Sequence, residues 1–296
     1  MITSLIVLIS LFLFSSCTNT AEEAIEEQKS RVTVDFSTFQ VEVEDMSRGS
    51  DDPLTLSDVA KRLSFAVFEK DGSTLVNGTT IHQVKSDDVN GFGKIQLELT
   101  SGSYQIVAVA HNGSGNVNIQ SVESATLPGK TFTDTFVGVY DLNVTTADCS
   151  FKMSLNRITS AFYLNLTDDT PPKNARMMEI ILHNGGSAPN QLNINPSTGY
   201  AEDNWLQSRT FTMTNIIDDE LDLVYYIGKS SPTAVIVKAT AKDLNSNEIM
   251  HRIFTNVPLT PNKKTRATGA FFNSSGSASF TITSDWASED DEITYQ

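Results

Sequence analysis

The stretch CSFKMSLNRITSAFYLNLTD, residues 149–168, decides how the chain is divided. Apolar side chains alternate with a period of two, which places them on one face of a sheet and predicts two strands or one long bent strand. Sets of short strand patterns of similar size lie before and after it. We therefore interpret it as the seam between two β-domains. The alternating residues are Phe151, Met153 and Leu155, then Phe162, Leu164 and Leu166.

Before the seam, short apolar runs are separated by turn signals, as is typical of antiparallel sheets. Asp71-Gly72 directly follows one run and predicts a tight turn. Ser57 is predicted to cap one helical turn over residues 57–62. The continuous apolar run at residues 104–110 suits a central strand. The strands predicted in this half are residues 32–36, 63–67, 95–99, 104–110 and 135–144.

After the seam, Pro171 and Pro172 enforce a break. Residues 187–209, which include Trp205, are predicted to be a large loop or irregular edge structure. Strand patterns with almost no helix predict an all-β fold of antiparallel β-sandwiches. The strands predicted in this half are residues 178–182, 211–213, 221–227, 234–241, 249–254 and 279–283. The predicted segments are a signal peptide at 1–16, an acidic tether at 17–30, and sandwiches at 31–148 and 149–296.

Length and charge narrow the classes of protein to consider. The chain has 296 residues and 39% hydrophobic content, enough for two globular domains with their own cores. Its 36 acidic and 21 basic residues give a net charge of −15. This argues against nucleic acid as a partner and against charge-driven binding to anionic membranes, since both need a basic face. The plain interpretation is a soluble, mutually repulsive surface.

The N-terminus is interpreted as a secretion and lipidation signal. Residues 5–14 are almost entirely apolar, too short to span a bilayer and the right length for a signal-peptide core. Small residues then precede Cys17, as in the bacterial lipoprotein signal, which predicts lipidation of Cys17. Phe14 and the lack of an early Lys or Arg depart from that pattern, and the alternative is an ordinary signal peptide. The acidic residues after Cys17 resemble an export signal for surface lipoproteins.

The remaining cysteine, Cys149, flanks a predicted strand. If Cys17 is lipidated, no intramolecular disulfide can form, because the chain has only two cysteines. No His or acidic residue accompanies Cys149 at a recognisable spacing. We therefore expect a packed thiol rather than a nucleophile.

Several motif-like stretches depart from the patterns they approach. Residues 243–254 begin like a calcium loop, but Glu248 replaces the expected Gly and Phe254 replaces the final Glu. We interpret the start of this stretch as a hairpin turn. Residues 128–131 end like a phosphate-binding loop, but Ser124 stands where the leading Gly belongs. Residues 218–222 form an acidic run that favours a solvated turn.

No constellation of residues supports catalysis. The four histidines have no metal-ligand spacing, and no GxSxG motif is present. Aromatic residues are 8% of the chain and mostly lie in strand patterns, so Trp205 is the single candidate for a sugar-stacking platform. We expect no enzymatic activity, no cofactor and no metal. The histidines are His82, His111, His183 and His251.

Five motifs follow one another over nearly the whole chain after Cys17. They are LSFAVFEKDG at 63–72, LELTSGSYQIVAVAHNG at 97–113, MSLNRITSAFYLNLTD at 153–168, VPLTPNKKTRATGAFF at 257–272 and FTITSDW at 280–286. In this order they resemble the fimbrillin superfamily of type V pili, in its lipid-anchored FimB-type anchor or accessory branch.

The resemblance implies two tandem transthyretin-like sandwiches in a surface fibre attached to the outer membrane by the N-terminal lipid. It implies other fimbrillin-type subunits as partners, joined by donation of a β-strand, and a host or bacterial surface ligand. An arginine-specific protease removes an N-terminal strand in stalk subunits, which makes Arg31 and Arg48 candidate processing sites. Anchor subunits need no such cleavage, so we expect the mature chain to begin at Cys17.

Two other functions are considered. A glycan-binding surface lipoprotein serving an outer-membrane importer should expose aromatic side chains on one face. A surface hydrolase should bring acids or a nucleophile together in a cleft. The sequence shows neither feature.

Overall fold

A computed structural model describes residues 28–36, 55–129, 132–168, 171–187, 191–201, 206–213, 221–227, 235–262, 264–272, 280–285 and 293–295. Within these ranges the protein consists of β-strands and one short helix, so the predicted all-β class is confirmed. Predicted features at Cys17, Arg48, Trp205 and residues 218–220 lie outside the described residues.

The first half of the chain contains the only described helix, α1. It spans Leu56–Val59 and is preceded by Thr55, whose backbone N–H and hydroxyl donate to the Asp58 carboxylate at 2.8 and 2.7 Å. The helix was predicted at this place, but its capping residue is Thr55 rather than Ser57. The strands are β1 (Lys29–Asp35), β2 (Arg62–Glu69), β3 (Ile81–Val84), β4 (Lys94–Thr100), β5 (Gly102–His111), β6 (Asn118–Ile119), β7 (Ala125–Leu127), β8 (Thr135–Val144), β9 (Cys149–Lys152) and β10 (Asn156–Arg157).

Two sheets form the first sandwich. The central sheet has the order β10-β8-β5-β2-β3, and the β1 sheet has the order β4-β1-β9. Alternate side chains from both sheets meet in one core, as period-two strands require. The predicted central position of residues 104–110 is confirmed, because β5 pairs with β2 on one edge and β8 on the other. The largest fully buried side chains of this core include Phe36, Phe65 and Phe136.

The second half forms another pair of sheets. One has the order β16-β11-β19-β20-β21 and the other β15-β12-β17-β18. On β12 the side chains of Met178, Ile180 and Leu182 are fully buried while their neighbours are half-buried, which confirms the predicted alternation. The strands are β11 (Thr159–Leu166), β12 (Met177–His183), β13 (Leu192–Asn195), β14 (Tyr200–Ala201), β15 (Leu206–Thr212), β16 (Leu221–Ile227), β17 (Val235–Lys242), β18 (Glu248–Val257), β19 (Lys264–Gly269), β20 (Phe280–Asp285) and β21 (Ile293–Tyr295).

A fifth sheet takes strands from both halves of the chain. This bridging sheet has the order β14-β13-β7-β6, and β13 pairs antiparallel with β7 so that Leu192 lies opposite Leu127. Its strands β13 and β14 lie within residues 187–209, for which a loop or irregular edge structure was predicted. Strand β13 pairs with the edge of β7 and β14 pairs with β13, and the first residues of β15 also fall within this stretch. Buried residues of the bridging sheet, the central sheet and the second sandwich form one continuous cluster.

Two strand pairs are parallel, where antiparallel sandwiches were predicted. Strand β9 runs parallel to β1, and β19 runs parallel to β11. Parallel neighbours need a long connection, and in both pairs the partners are far apart in sequence. Strands β9 and β10 pair with strands of the first half although they lie after residue 148. The boundary at residue 149 stays a prediction.

The predicted turn at Asp71-Gly72 is present directly after β2. The Asp71 carboxylate accepts hydrogen bonds from the backbone N–H groups of Ser73 and Thr74, each at 2.8 Å, and from the Thr74 hydroxyl. These bonds, led by those from Thr74, lower the pKa of Asp71 to about 2. Gly72 has a φ of +71°, and a Cβ atom there would lie 2.6 Å from Val122 Cγ2. The turn therefore requires glycine for two separate reasons.

We predict that Gly72→Ala destabilises the protein by about 2–4 kcal/mol, since strained backbone and steric overlap add. Gly78→Ala is the matched control, because Gly78 has a φ of +75° but a Cβ atom there would have no neighbour within 4 Å. That variant is expected to cost about 1 kcal/mol, the backbone strain alone. Urea denaturation of both variants measures the difference, and equal losses would show that Val122 moves aside without cost.

Candidate functional site

Strand β1 lies at the centre of its sheet, with a partner on each edge. It pairs antiparallel with β4, where Val32 lies opposite Leu97, and parallel with β9, where Val32 lies opposite Cys149. A strand with two partners leaves two unpaired edges when it is withdrawn. Residue-by-residue pairing therefore makes β1 the strand whose removal would open this sheet along its whole length.

The inward side chains of β1 close the core of the first sandwich. Val32, Val34 and Phe36 are fully buried, and the Phe36 ring packs edge-on against Phe65 at a centroid distance of 6.3 Å. Burying side chains of this size stabilises by about 1.5–3 kcal/mol each. The backbone N–H of Phe36 donates to the Gly93 carbonyl at 2.7 Å. Strand β1 is thus held by apolar contacts as well as by its two hydrogen-bonded edges.

Arg31, one of the two predicted processing sites, lies within β1. It was placed just before the first strand, but the strand begins at Lys29, because residues 29–31 continue the pairing with β4. Its side chain is exposed, lies opposite Glu98 in the register, and its backbone N–H donates to Asp148 Oδ1 at 2.9 Å. A protease would therefore have to open this end of β1 before cleaving there. Cleavage at Arg31 stays a prediction.

A buried ion pair marks the point where the chain passes from the central sheet to the second sandwich. Arg157, the last residue of β10, contacts Asp134 through Nε at 2.9 Å and Nη2 at 3.0 Å. Both side chains are almost completely buried. Thr159, the first residue of β11, donates its hydroxyl to Asp134 Oδ1 at 2.8 Å. Asp134 is thus bonded both to the last residue of β10 and to the first residue of β11.

The surroundings of this ion pair set its electrostatics. Burial raises the pKa of the Asp134 carboxyl, and the Arg157 guanidinium and the Thr159 hydroxyl oppose that rise by stabilising the charged form. Arg157 also lies over the Phe136 ring at 4.9 Å and donates to Asn262 Oδ1 at 3.4 Å. The arrangement is that of a structural clamp between the halves, since every one of these groups is engaged by another.

Sequence reasoning recognised only one member of this clamp. Arg157 lies in the motif Leu-Asn-Arg-Ile, which was noted for its family resemblance and not for a contact. Asp134 carried no signal, because it lies 23 residues earlier in the chain and outside any motif. An apolar stretch interrupted by one Arg is the clue that a buried acidic partner exists, but it does not indicate which acid.

Cys149 is a half-buried thiol at the start of β9. Burial, and the negative charge of the neighbouring Asp148, raise the pKa of its thiol. A raised pKa lowers the fraction of reactive thiolate at neutral pH. This agrees with the expectation of a packed thiol.

The calcium-like stretch is a hairpin turn, as predicted. Asp243 accepts hydrogen bonds from the backbone N–H groups of Asn245 and Asn247 at 2.8 Å, and it closes the connection between β17 and β18. Its carboxylate is therefore used inside the turn. Of the phosphate-loop-like stretch, only Pro128 and Gly129 are described.

The four histidines lie apart, on β3, β5, β12 and β18. Among the described residues, no three histidine, cysteine or acidic side chains are grouped so that they could hold a metal ion. His111 is the buried one, and its Nδ1 accepts the backbone N–H of Gly113 at 3.0 Å, which requires a neutral ring. Burial first, and then the Arg62 charge, lower its pKa to about 4.

The fold and these contacts define a tandem β-sandwich protein whose described residues form no metal centre. The chain belongs to a family of unknown function, DUF6562, whose model matches residues 22–296. None of the curated proteins matches the sequence.

Several solved bacterial structures resemble this chain over most of its length. A candidate polysaccharide-binding protein of Bacteroides thetaiotaomicron is 12% identical, with a TM-score of 0.55 over 89% of this chain and 98% of that one. A candidate adhesin of Bacteroides ovatus is 13% identical, with a TM-score of 0.50 over 90% and 95%. The fimbrial anchor protein Mfa2 of Porphyromonas gingivalis is 16% identical, with a TM-score of 0.48 over 88% and 98%. The first two of these likenesses show that the fold is shared over nearly the whole chain.

We predict that Asp134→Leu destabilises the protein by about 3–5 kcal/mol, because it leaves the Arg157 guanidinium buried without its carboxylate. The double variant Asp134→Leu/Arg157→Met should recover most of that loss, since no buried charge remains. Glu179→Gln is the control at a half-exposed pair, Lys242–Glu179 at 2.7 Å, where a loss below about 1 kcal/mol is expected. Chemical denaturation measures all three variants, and a double variant no more stable than Asp134→Leu would contradict the clamp.

His111 predicts a pH dependence of stability. Its pKa is about 4 in the folded protein against an ordinary value of 6.5, so the unfolded chain binds more protons between these pH values. The free energy of unfolding should therefore fall as the pH is lowered through this window, and the contribution should level off below about 4. Urea denaturation of wild type and His111→Asn across the window tests this; equal slopes in both proteins would assign the dependence to other groups.

Proposed function

We propose that the protein is a non-enzymatic surface lipoprotein that serves as an anchor or accessory subunit of a fimbria and joins pilin subunits by β-strand complementation. The observation that carries the proposal is the position of β1, paired on both edges and apolar on its inner face. A sandwich that lacks such a strand exposes unpaired backbone groups and an apolar groove. A strand from a neighbouring subunit satisfies both.

The retained β1 suits the anchor role. While Val32, Val34 and Phe36 fill the core, the groove of the first sandwich is occupied and cannot accept another subunit's strand. A subunit of this kind terminates the fibre at that groove, because no further subunit can insert a strand there. It would join a neighbouring subunit by donating a strand of its own. Cleavage at Arg48 would release β1 and convert the subunit into an acceptor, whereas cleavage at Arg31 would leave Val32, Val34 and Phe36 attached to the chain.

The proposed location is the outer face of the outer membrane, with Cys17 carrying the lipid and the acidic segment after it acting as a tether. No helix in the described part of the chain is long and apolar enough to cross a membrane. The description of the Bacteroides ovatus structure as a candidate adhesin agrees with adhesion as part of this role.

The alternative of a glycan-binding lipoprotein serving an importer would be favoured by exposed aromatic side chains on one face. The large apolar side chains that are exposed within the described ranges are Leu75, Val89, Leu244 and Ile253, and all four are aliphatic. A stacking platform for neutral sugars therefore has no support in this part of the chain.

We predict that cutting the chain between β1 and α1 makes β1 exchangeable. A unique protease site is placed in residues 47–53 of the full chain, which first folds with β1 in place. After the cut, a fluorescent peptide of residues 29–36 should replace the native strand, since no covalent link then retains it. Fluorescence anisotropy follows the exchange.

Two controls make this test sharp. Uncut protein should not take up the peptide, and the Val34→Asp peptide should not enter the cut protein, because a carboxylate would be buried unpaired. Equal uptake of both peptides would rule out the strand groove as their binding site.

The anchor assignment is tested on cells. The intact mass of the mature protein should correspond to a lipidated chain that starts at Cys17, and a chain that starts at residue 32 or 49 would refute it. Cross-linking on producing cells should join the protein to tandem β-sandwich pilins. Partners drawn from a transporter would support the importer alternative instead.

A further inference from the structure

A cleft with a basic lining opens at one end of the central sheet. Its volume is about 530 Å³, within the range of about 300–1,000 Å³ found for small-ligand sites. We call it the basic cleft. Its lining residues come from the ends of β2, β3 and β5 and the loops beside them, and the ones that matter here are Lys61, Arg62, Lys85, Val89, Asn112 and Ser114.

Strand register brings the three cations together. Arg62, the first residue of β2, lies opposite Val84 at the end of β3 and opposite His111 at the end of β5. The backbone N–H of Lys85 donates to the Lys61 carbonyl at 2.9 Å, which keeps the two lysines side by side. The start of β2 and the ends of β3 and β5 thus lie side by side, and all three strands contribute residues to the cleft.

Neutral oxygen atoms hold two of these cations in place. Lys85 Nζ donates to the Ser57 carbonyl at 2.5 Å, and Arg62 Nη1 donates to Asn116 Oδ1 at 3.2 Å. Within the described residues, none of the three cations forms a salt bridge with a carboxylate. Three positive charges without an ion-pair partner among those residues converge here on a chain whose net charge is −15. Such a cleft attracts an anion from solution.

The acidic residues of the loop after β3 take part in hydrogen bonds within that loop. Asp88 Oδ1 accepts the backbone N–H groups of Asn90 and Gly91 at 3.2 and 2.9 Å, which closes the loop after β3. Asp87 Oδ1 accepts the Ser86 hydroxyl at 3.2 Å. Both carboxylates keep their negative charge, but among the residues that the structure describes neither forms an ion pair with Lys61, Arg62 or Lys85.

The composition of the lining selects the kind of anion. The hydroxyl of Ser114 and the Oδ1 of Asn112 are hydrogen-bonding groups of the kind that sugar hydroxyls need, while the Nδ2 of Asn112 donates to the Val59 carbonyl at 2.8 Å. Val89, which is 59% exposed, offers an apolar wall. The backbone N–H groups of Lys61 and Lys85 are already bonded within the sheet, so neither of them can pair with a peptide main chain. A compact, hydroxylated anion fits better than an extended acidic peptide.

We propose that the basic cleft binds a carboxylated saccharide, with the uronate carboxylate between Lys61, Arg62 and Lys85 and the sugar hydroxyls towards Asn112 and Ser114. This site does not depend on assembly into a fibre. It recognises a sugar through ionic contacts rather than through the aromatic stacking that neutral pyranoses use.

Isothermal titration of the purified full chain with trigalacturonate tests the proposal. Binding is expected, with a Kd that rises as salt screens the contacts. Lys61→Gln should weaken it about ten-fold, the usual effect of losing one charged hydrogen bond. Lys70→Gln is the matched control, an exposed lysine that directly follows the opposite end of β2, and it should leave the Kd unchanged.

Two further ligands decide between classes of partner. A neutral galactose trisaccharide should not bind, and triglutamate should bind at least ten-fold more weakly than trigalacturonate. Equal binding of the neutral sugar, tighter binding of triglutamate, or an unchanged Kd in Lys61→Gln would each overturn the proposal. Lys61 is exposed, so its variant should keep the wild-type melting temperature, and that measurement confirms the fold of the tested protein.

Discussion

The central sheet is apolar on both faces, and the rest of the fold follows from the need to cover both. On β2 the consecutive side chains of Phe65, Ala66, Val67 and Phe68 are all fully buried. A strand of this kind cannot present either face to water. The β1 sheet covers one face, and the cluster that contains the bridging sheet covers the other. The bridging sheet takes β13 and β14 from the second half of the chain. The two halves are therefore held together by a shared core in addition to their covalent connection.

The clamp of Arg157 and Asp134 lies where the chain leaves this sheet. A buried ion pair contributes little net stability when compared with well-packed apolar residues, because both charges lose their hydration. The ion pair instead favours one arrangement of the chain over others, since any shift of β10 against Asp134 would leave a buried charge without its partner. Thr159 joins the same carboxylate, so the end of β10 and the start of β11 are held together. The clamp thereby sets the register from which the second sandwich begins.

The first sandwich carries both of the features to which we assign a function. Strand β1 completes one of its sheets, and the basic cleft opens at the end of the other. Different interactions operate at the two features. Apolar burial and backbone pairing hold β1, whereas the cleft presents positive charge against an acidic background. The two proposed roles are therefore compatible, because filling the strand groove leaves the basic cleft open.

Local pattern in the sequence determined the all-β class, the alternating faces of strands such as β12 and the turn at Asp71-Gly72, because strand periodicity and turn chemistry depend on neighbouring residues. It did not determine partners. Only the tertiary structure decided which distant parts of the chain lie together. Examples are the parallel pairing of β1 with β9, the antiparallel pairing of β7 with β13, the contact of Arg157 with Asp134 and the proximity of Lys61 to Lys85. Alternation reports which face of a strand is apolar and not which strand lies beside it, and strands of two or three residues are too short to show a period. Contacts between distant residues are selected by packing of the whole chain, and no short stretch of sequence contains that information.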